Sequence, residues 1–216
     1  MSIVKRLGAT GWAQLNLDEI AEPGDTRKRL TTAVLDRLGS QLSQLATDPG
    51  LCVLILTGGG GFFSAGADLH EIGALTPATA AAFSRRGQEV FSRLGAAAPV
   101  TIAAIDGYCL GGGLDLALGC TFRYATPESI FQHPGSARGI ITGWGGTQRL
   151  PRLVGADAAR RLLPLGEQID GREAERIGLV TAVTPDPVDH SRRAAAQMAA
   201  RFERAELFEL RDMFIW

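Results

Sequence analysis

Two runs of consecutive apolar residues, each followed by a glycine-rich loop, dominate the hydrophobic pattern of the chain. The runs cover residues 52–56 and 99–106. Their length and their β-branched content are typical of strands buried on both faces rather than of amphipathic helices. The first run leads into glycines 58–61 and then into small residues that end at Asp68, and the second leads into the segment 107–115, which ends at Asp115. Because α/β proteins usually bind ligands where strands end in such loops, the pattern predicts one site built from both.

The remaining pattern predicts helices alternating with strands. A period near two between Ser2 and Leu17 predicts two short strands joined by a turn at 8–11, followed by a loop over 18–25. Apolar residues spaced by three or four predict a helix that Thr26 caps and that runs through Leu45. Further helices are expected at 69–73, 76–94, 114–120, 157–163 and 171–177 and from 188 onwards, strands at 121–125, 129–132 and 179–183, and a loop, a short helix and a break over 143–155. This alternation predicts an α/β fold with a mainly parallel sheet.

Composition and charge exclude several classes of protein. The 216 residues are enough for one large domain or a domain with an appendage, and the net charge of −1 gives no electrostatic footprint for nucleic acid or an anionic membrane. Three cysteines in or beside apolar segments favour a reduced, cytoplasmic protein. The N-terminus lacks the apolar core of a signal peptide, and no apolar run approaches the ~20 residues that span a bilayer. The apolar residues in the last ten, LFELRDMFIW, are expected to dock on this chain or on a neighbouring subunit.

Three glycine-containing motifs together point beyond the fold class. They are GGGGFFSAGADL at 58–69, DGYCLGGGLDLAL at 106–118 and GWGGTQRLPRLVG at 143–155. In this order and spacing they resemble the crotonase superfamily, the enoyl-CoA hydratase/isomerase family, over about residues 3–183. The resemblance implies a crotonase-like spiral of ββα units with mainly parallel sheets, a core domain over 1–184 and a shortened helical C-terminal segment over 185–216. It also implies an acyl-CoA substrate with no cofactor and no metal, and a homo-oligomer, a trimer or hexamer.

By the same resemblance, two backbone amides would bind the thioester oxygen. The matching positions are Ala67 and Gly112. Such donors stabilise the negative charge of an enolate, and the start of a helix at Gly112 would add positive potential there. The other interpretation is that these glycine-rich loops only form tight turns. The substrate-binding positions that follow from the resemblance and from proximity are Ala65, Asp68, Leu69, His70, Gly111 and His133.

Acidic residues suited to proton transfer are few. Asp115 would lie in the first turn of a buried helix, where the family often has Glu, and it is either catalytic or a helix-terminal carboxylate satisfied by backbone. The family's second acid corresponds to Gly135 here. Since hydration commonly uses two carboxylates, this replacement argues against a standard hydratase. A related decarboxylase or lyase and a catalytically silent acyl-CoA-binding homologue are the alternatives. His133 could transfer protons, or it could be a surface or structural histidine.

Three further features complete the list of candidates. Residues 27–29, Arg-Lys-Arg, would open the first long helix and either meet CoA phosphates or form a basic helix face. Trp144 is bulky for its place and would narrow the acyl end of the site. A nucleotide-dependent oxidoreductase is disfavoured, because the loop at 58–61 lacks the G-x-G-x-x-G pattern and does not open directly into a helix.

Overall fold

The computed structural model describes residues 4–6 and 11–214. The strands are β1 (Val4–Arg6), β2 (Trp12–Asn16), β3 (Arg29–Leu30), β4 (Val53–Thr57), β5 (Phe62–Ser64), β6 (Gly66–Ala67), β7 (Val100–Ile105), β8 (Tyr108–Leu110), β9 (Phe122–Ala125), β10 (Ile130–Gln132), β11 (Ile169–Asp170) and β12 (Ala182–Val183). The α-helices are α1 (Leu17–Ile20), α2 (Thr32–Ala46), α3 (Leu69–Gly73), α4 (Pro77–Ser92), α5 (Leu94–Ala97), α6 (Gly112–Leu118), α7 (Gly146–Leu162), α8 (Gly171–Arg176), α9 (Pro187–Arg201) and α10 (Arg204–Phe214). A 3-10 helix spans Pro134–Arg138.

A six-stranded sheet with the order β1-β2-β4-β7-β9-β12 forms the centre of the fold. Among the described strands of this sheet, the β1–β2 pair alone is antiparallel, so the predicted mainly parallel sheet is confirmed. Every residue of β4 and β7 is buried, as expected for strands covered on both faces. Helices α2, α4 and α5 contribute to the core on one face, and α9 packs on the other.

Two smaller sheets extend from this core toward the site. One has the order β11-β10-β8-β5, and the other is the parallel pair β3–β6. Strands β5 and β8 run parallel and begin beside the loops that follow β4 and β7. The two glycine-rich loops that were recognised in the sequence are therefore joined by a sheet of their own.

The predicted start of the first long helix is wrong. Helix α2 begins at Thr32, and its cap is the hydroxyl of Thr31, which accepts from the backbone N–H of Val34. Residues 26–30 cannot be helical because Lys28 has a left-handed φ of +50° and residues 29–30 pair with β6. The basic residues 27–29 therefore precede this helix rather than open it. The predicted apolar stripe along the helix is confirmed, since its members Val34, Leu38, Leu42 and Leu45 are buried.

Several other boundaries differ from the sequence expectation. A short helix, α1, lies at the start of the segment predicted as a loop, α6 begins two residues before residue 114, and the strand expected at 179–183 is limited to β12. Helix α7 breaks at Gly155, where φ is +79° and ψ is 167°, so the expected loop, helix and break are present. Residues 8–10 of the predicted first turn lie outside the described part of the chain.

The C-terminal segment forms two helices, α9 and α10. Leu207 of α10 is buried against the central sheet, whereas Leu210 and Met213 are exposed. The terminal stretch therefore docks on this chain through part of its apolar surface. The last two residues, 215–216, lie outside the described range. No helix within the described residues is long and apolar enough to cross a membrane.

Candidate active site

A small apolar cavity of about 260 Å³ lies where the two glycine-rich loops meet. It is lined by Ala65, Ala67, Leu69, Ile72, Leu75, Ala80, Phe83, Ser84, Gly111, Gly112, His133, Pro134, Gly135, Ile140, Ile141, Thr142, Gly143, Trp144 and Leu163. The predicted site residues on this wall include Ala65, Ala67, Gly111, Gly112 and His133. Both glycine-rich loops therefore contribute residues to the wall of one cavity.

The two loops approach each other through their main chains. A methyl group at Gly66, where φ is +86°, would lie 2.6 Å from the backbone nitrogen of Gly112. A methyl group at Gly112 would lie 3.2 Å from the backbone nitrogen of Ala67. Glycine at these positions therefore permits an approach that any side chain would block. Because Gly112 is the first residue of α6, its N–H has no acceptor within that helix.

Asp115 is buried behind this wall and is not itself on it. Its side chain is fully buried, and its Oδ2 accepts a hydrogen bond from the hydroxyl of Thr142, which does line the cavity. Its Oδ1 has no hydrogen-bond partner among the described residues. Burial raises the pKa of Asp115 to about 7, against the opposing effects of the Thr142 hydroxyl, the Arg149 charge and the Trp144 backbone. The N-cap of α6 is Gly111, which supplies no side-chain cap, and Asp115 lies in the first turn of this helix.

His133 lies between Asp115 and the cavity. It follows β10, the residue is 4 % exposed, and its Nε2 lies 3.6 Å from Oδ1 of Asp115. Nε2 also has no hydrogen-bond partner within the described structure. Burial lowers the pKa of His133 to about 4, so the imidazole is neutral at pH 7. The interpretation of His133 as a surface residue is therefore wrong.

The position of the absent second carboxylate is closed to side chains. Gly135 lies on the cavity wall, and a methyl group there would be 2.8 Å from the backbone oxygen of Ile140. No Asp, Glu, Lys or Arg occurs among the described residues that line the cavity. The polar side chains on the wall are those of His133, Thr142 and Ser84.

The residues after the first loop have different surroundings. Asp68 is buried, caps α3 by accepting from the backbone N–H groups of His70 and Glu71, and forms an ion pair with Arg29 at 2.9 Å. Leu69 lies on the cavity wall and is 53 % exposed. His70 is exposed and lies off the wall. Asp68 and His70 therefore do not join the group that surrounds the cavity.

The basic segment 27–29 is not a free cationic surface. Lys28 is 2 % exposed; its Nζ donates to the backbone oxygens of Thr26 and Gly59 and forms an ion pair with Asp18 at 2.9 Å. The expectation that Lys28 meets CoA phosphates is wrong, because its charge is directed inward and holds the first glycine-rich loop in place. Arg27 remains exposed.

Trp144 forms part of the cavity wall. Its ring packs against Gly87 and Gly112, and its Nε1 donates to the backbone oxygen of Phe83 at 3.2 Å. Thr142, by contrast, was missed by the sequence interpretation. It lies in an irregular segment without periodicity, and only the folded chain brings its hydroxyl to Asp115.

The fold and the cavity define an α/β protein with a pocket lined by the main chain of two glycine-rich loops. Residues 26–213 match the enoyl-CoA hydratase/isomerase family, so the chain belongs to this family. It is 41 % identical over 174 residues to a probable enoyl-CoA hydratase of Bacillus subtilis, covering 80 % of this chain and 67 % of the relative. It is 45 % identical over 137 residues to the crotonyl-CoA hydratase of Syntrophomonas wolfei, covering 63 % of this chain and 53 % of that protein.

Solved structures agree with the assignment. DspI of Pseudomonas aeruginosa superposes with a TM-score of 0.87 at 32 % identity, over 97 % of this chain and 78 % of the other. An enoyl-CoA hydratase of Bacillus anthracis gives a TM-score of 0.85 at 29 % identity, over 98 % and 81 %. The predictions of a crotonase-type fold and of an acyl-CoA-processing enzyme family are thus confirmed. The chain spans about half to two thirds of the length of the two curated relatives described above.

Proposed function

We propose that the cavity binds the acyl group of an acyl-CoA thioester and that the backbone N–H groups of Ala67 and Gly112 stabilise its enolate. The observation that carries the proposal is the convergence of these two residues on one cavity through loops in main-chain contact. Enolate formation places negative charge on the thioester oxygen, and fixed donors stabilise that charge without having to reorganise. The reaction is of the enoyl-CoA hydratase/isomerase type.

The cavity wall supports a short, uncharged acyl group. Its volume of about 260 Å³ is small, and Phe83, Trp144 and Leu163 supply bulky apolar surface. Since no charged side chain lies on the described wall, nothing there would pair with a second carboxylate on the substrate. This favours hydratase or isomerase chemistry over the decarboxylase alternative. Leu69 at the exposed edge would contact the CoA arm.

We also propose that this chain assembles into a homo-oligomer and is located in the cytoplasm. Leu210 and Met213 are exposed on α10, which supports association of this chain with copies of itself in a trimer or hexamer. The three cysteines are unpaired and buried, which supports a reducing, cytoplasmic location. Light scattering of the purified chain tests the assembly, and a monomeric mass would contradict it.

Hydration of crotonyl-CoA, followed by loss of the enoyl-thioester absorbance, tests the reaction. The wild-type chain should turn over this substrate and lose activity as the acyl chain is lengthened to hexenoyl- and decenoyl-CoA. The Gly66→Ala variant should lower kcat by about 10²–10³-fold, because the added methyl group would separate the two amide donors. Gly50→Ala is the matched control, since the nearest atom to its methyl group would be 3.6 Å away, on Asp48.

Two results would contradict the proposal. Calorimetric binding of crotonyl-CoA without any turnover or isomerisation would indicate the silent acyl-CoA-binding homologue instead. Unchanged kcat in a folded Gly66→Ala variant would show that the two amides do not act at the thioester oxygen.

A further inference from the structure

The described wall of the cavity carries no carboxylate that could transfer a proton to or from a bound substrate. Asp115 is the acid at the position where the family often has Glu, yet it is fully buried and absent from the cavity wall. A methyl group at Gly146 would lie 3.1 Å from Cγ of Asp115, so the main chain of α7 covers another side of the carboxylate. A substrate in the cavity would therefore meet His133 and Thr142 before it could reach Asp115.

The contact between His133 and Asp115 is unusual in its hydrogen bonding. Nε2 of His133 and Oδ1 of Asp115 are both buried, both lack a hydrogen-bond partner within the described residues, and lie 3.6 Å apart. A buried polar atom without a partner costs about 1–3 kcal/mol, so such a pair is retained only where something offsets that cost. Catalytic hydrogen bonds are often long in unliganded structures and shorten when substrate binds.

We propose that His133 is the catalytic acid–base residue of this site, and that Asp115 is the positioning residue that orients the imidazole from behind. This inference rests on the proposed function. A proton on Nε2 directed at the carboxylate leaves Nδ1 as the basic atom of the ring. The hydroxyl of Thr142 fixes the carboxylate by donating to its other oxygen.

One imidazole can serve both steps of hydration. The water oxygen bonds to the β-carbon, Nδ1 takes one proton of that water, and the π electrons move to the thioester oxygen. The resulting enolate then takes the same proton from Nδ1 at the α-carbon. The elements of water are added whole, the imidazole ends neutral, and no second carboxylate is needed at Gly135. The same group could move a proton between carbons in an isomerisation.

The surroundings of the pair determine its pH dependence. The titratable or charged groups that face Asp115 are His133, Arg149 from α7 and the thiol of Cys109 from β8. The Asp115 carboxylate is the charged group near His133. An ionised carboxylate stabilises the imidazolium that forms during the reaction, so removing it should make the imidazole less basic.

Steady-state kinetics of the full chain with crotonyl-CoA test the proposal. His133→Gln should lower kcat by about 10²–10⁴-fold, because general acid–base catalysis contributes that factor, while KM changes little. Asp115→Asn should lower kcat less and move the acid limb of the kcat/KM profile to lower pH. The double variant should be no slower than His133→Gln, since the two residues act as a unit. His190→Gln is the matched control; this histidine packs on Tyr124, away from the cavity.

A second measurement separates proton transfer from the addition of water. Exchange of the α-protons of butyryl-CoA in D₂O reports proton transfer without hydration, and it should be lost in His133→Gln and retained in His190→Gln. Asp115→Asn replaces one side-chain oxygen by nitrogen and keeps the shape of the side chain. The pH profile of this variant therefore tests the proposal even where His133→Gln folds poorly.

The outcomes separate this inference from the proposed function. If the wild type is active and His133→Gln has the same kcat and pH profile, the proposed role of His133 is wrong, whereas the proposed oxyanion site is not contradicted. A wild type with neither turnover nor exchange would overturn both.

Discussion

A glycine in the middle of α4 and the Trp144 ring allow a test of how the cavity wall is packed. Gly87 lies inside a regular helix, where glycine is about 1 kcal/mol less favourable than alanine. A methyl group at Gly87 would nevertheless lie 2.5 Å from Nε1 of Trp144 and closer still to two ring carbons. On its other edge, the ring faces Gly112, where a methyl group would lie 2.5 Å from Cε3. The ring is held between two glycines and has no room to shift.

The Gly87→Ala substitution should therefore have opposite effects in two backgrounds. In the wild type, the helix gains about 1 kcal/mol of propensity and loses about 1–3 kcal/mol to overpacking, so the net effect is destabilising by about 1 kcal/mol. In a Trp144→Leu background, the overlap disappears and the same substitution should stabilise by about 1 kcal/mol. The coupling free energy between the two sites is then about 2 kcal/mol, within the range measured for residues in contact.

Urea unfolding of the four proteins in the cycle measures this coupling as shifts of the midpoint at constant m value. Gly73→Ala is the control, because no atom of the described residues lies within 4 Å of its added methyl group, so the substitution should have the same effect in both backgrounds. An effect of Gly87→Ala with the same sign and size with and without the indole would refute the packing argument. It would mean that the glycine is needed for a reason other than contact with Trp144.

Two further predictions concern the buried ionisable groups. Burial raises the pKa of Asp115 to about 7, so the contribution of this residue to the free energy of unfolding falls as the pH rises from about 4 to 7. Burial lowers the pKa of His133 to about 4, so the contribution of this residue increases as the pH rises from about 4 to 6.5. Relative to the wild type, the free energy of unfolding should therefore rise with pH in Asp115→Asn, by up to about 4 kcal/mol, and fall with pH in His133→Gln, by up to about 3 kcal/mol; urea titrations at several pH values would contradict this by showing slopes of the same sign. Lys28→Met should cost about 1–3 kcal/mol, because it removes the buried ammonium that donates to the backbone oxygens of Thr26 and Gly59; the Gly59 oxygen retains the N–H of Phe62 as a donor. The exposed Arg27→Met control should change stability little, and equal losses in both variants would contradict the role of the Lys28 ammonium.

Features encoded by residues close together in sequence could be predicted. The buried strands β4 and β7, the glycine-rich loops after them and the apolar stripe of α2 follow from composition and period within single segments. The motif resemblance supplied the family and placed Ala67 and Gly112 as a pair, and the structure brings both to one cavity. Local patterns suffice here because backbone preferences and side-chain periodicity act within a few residues.

The beginning of α2 could not be found in the same way. The local pattern predicts Thr26 as the cap, whereas the structure has Thr31 in that role. Two tertiary interactions prevent the helix from starting earlier. Strand β3 pairs with β6, so that Arg29 lies opposite Gly66, 37 residues further along the chain, and the ammonium group of Lys28 points inward. Long-range pairing overrode the local helical signal because it buries main-chain and charged groups that a helix would have left unpaired.

The sequence by itself determined the α/β class, the family and the two loops, whereas only the tertiary structure decided the chemistry of the acids and bases. The neighbours of Asp115 in sequence do not determine the environment of its carboxyl group. One carboxylate oxygen accepts from the Thr142 hydroxyl and the other lies near the His133 imidazole, and these groups come from segments up to 27 residues away. Proton affinity depends on desolvation and on charges within a few ångströms, and these are properties of the folded chain.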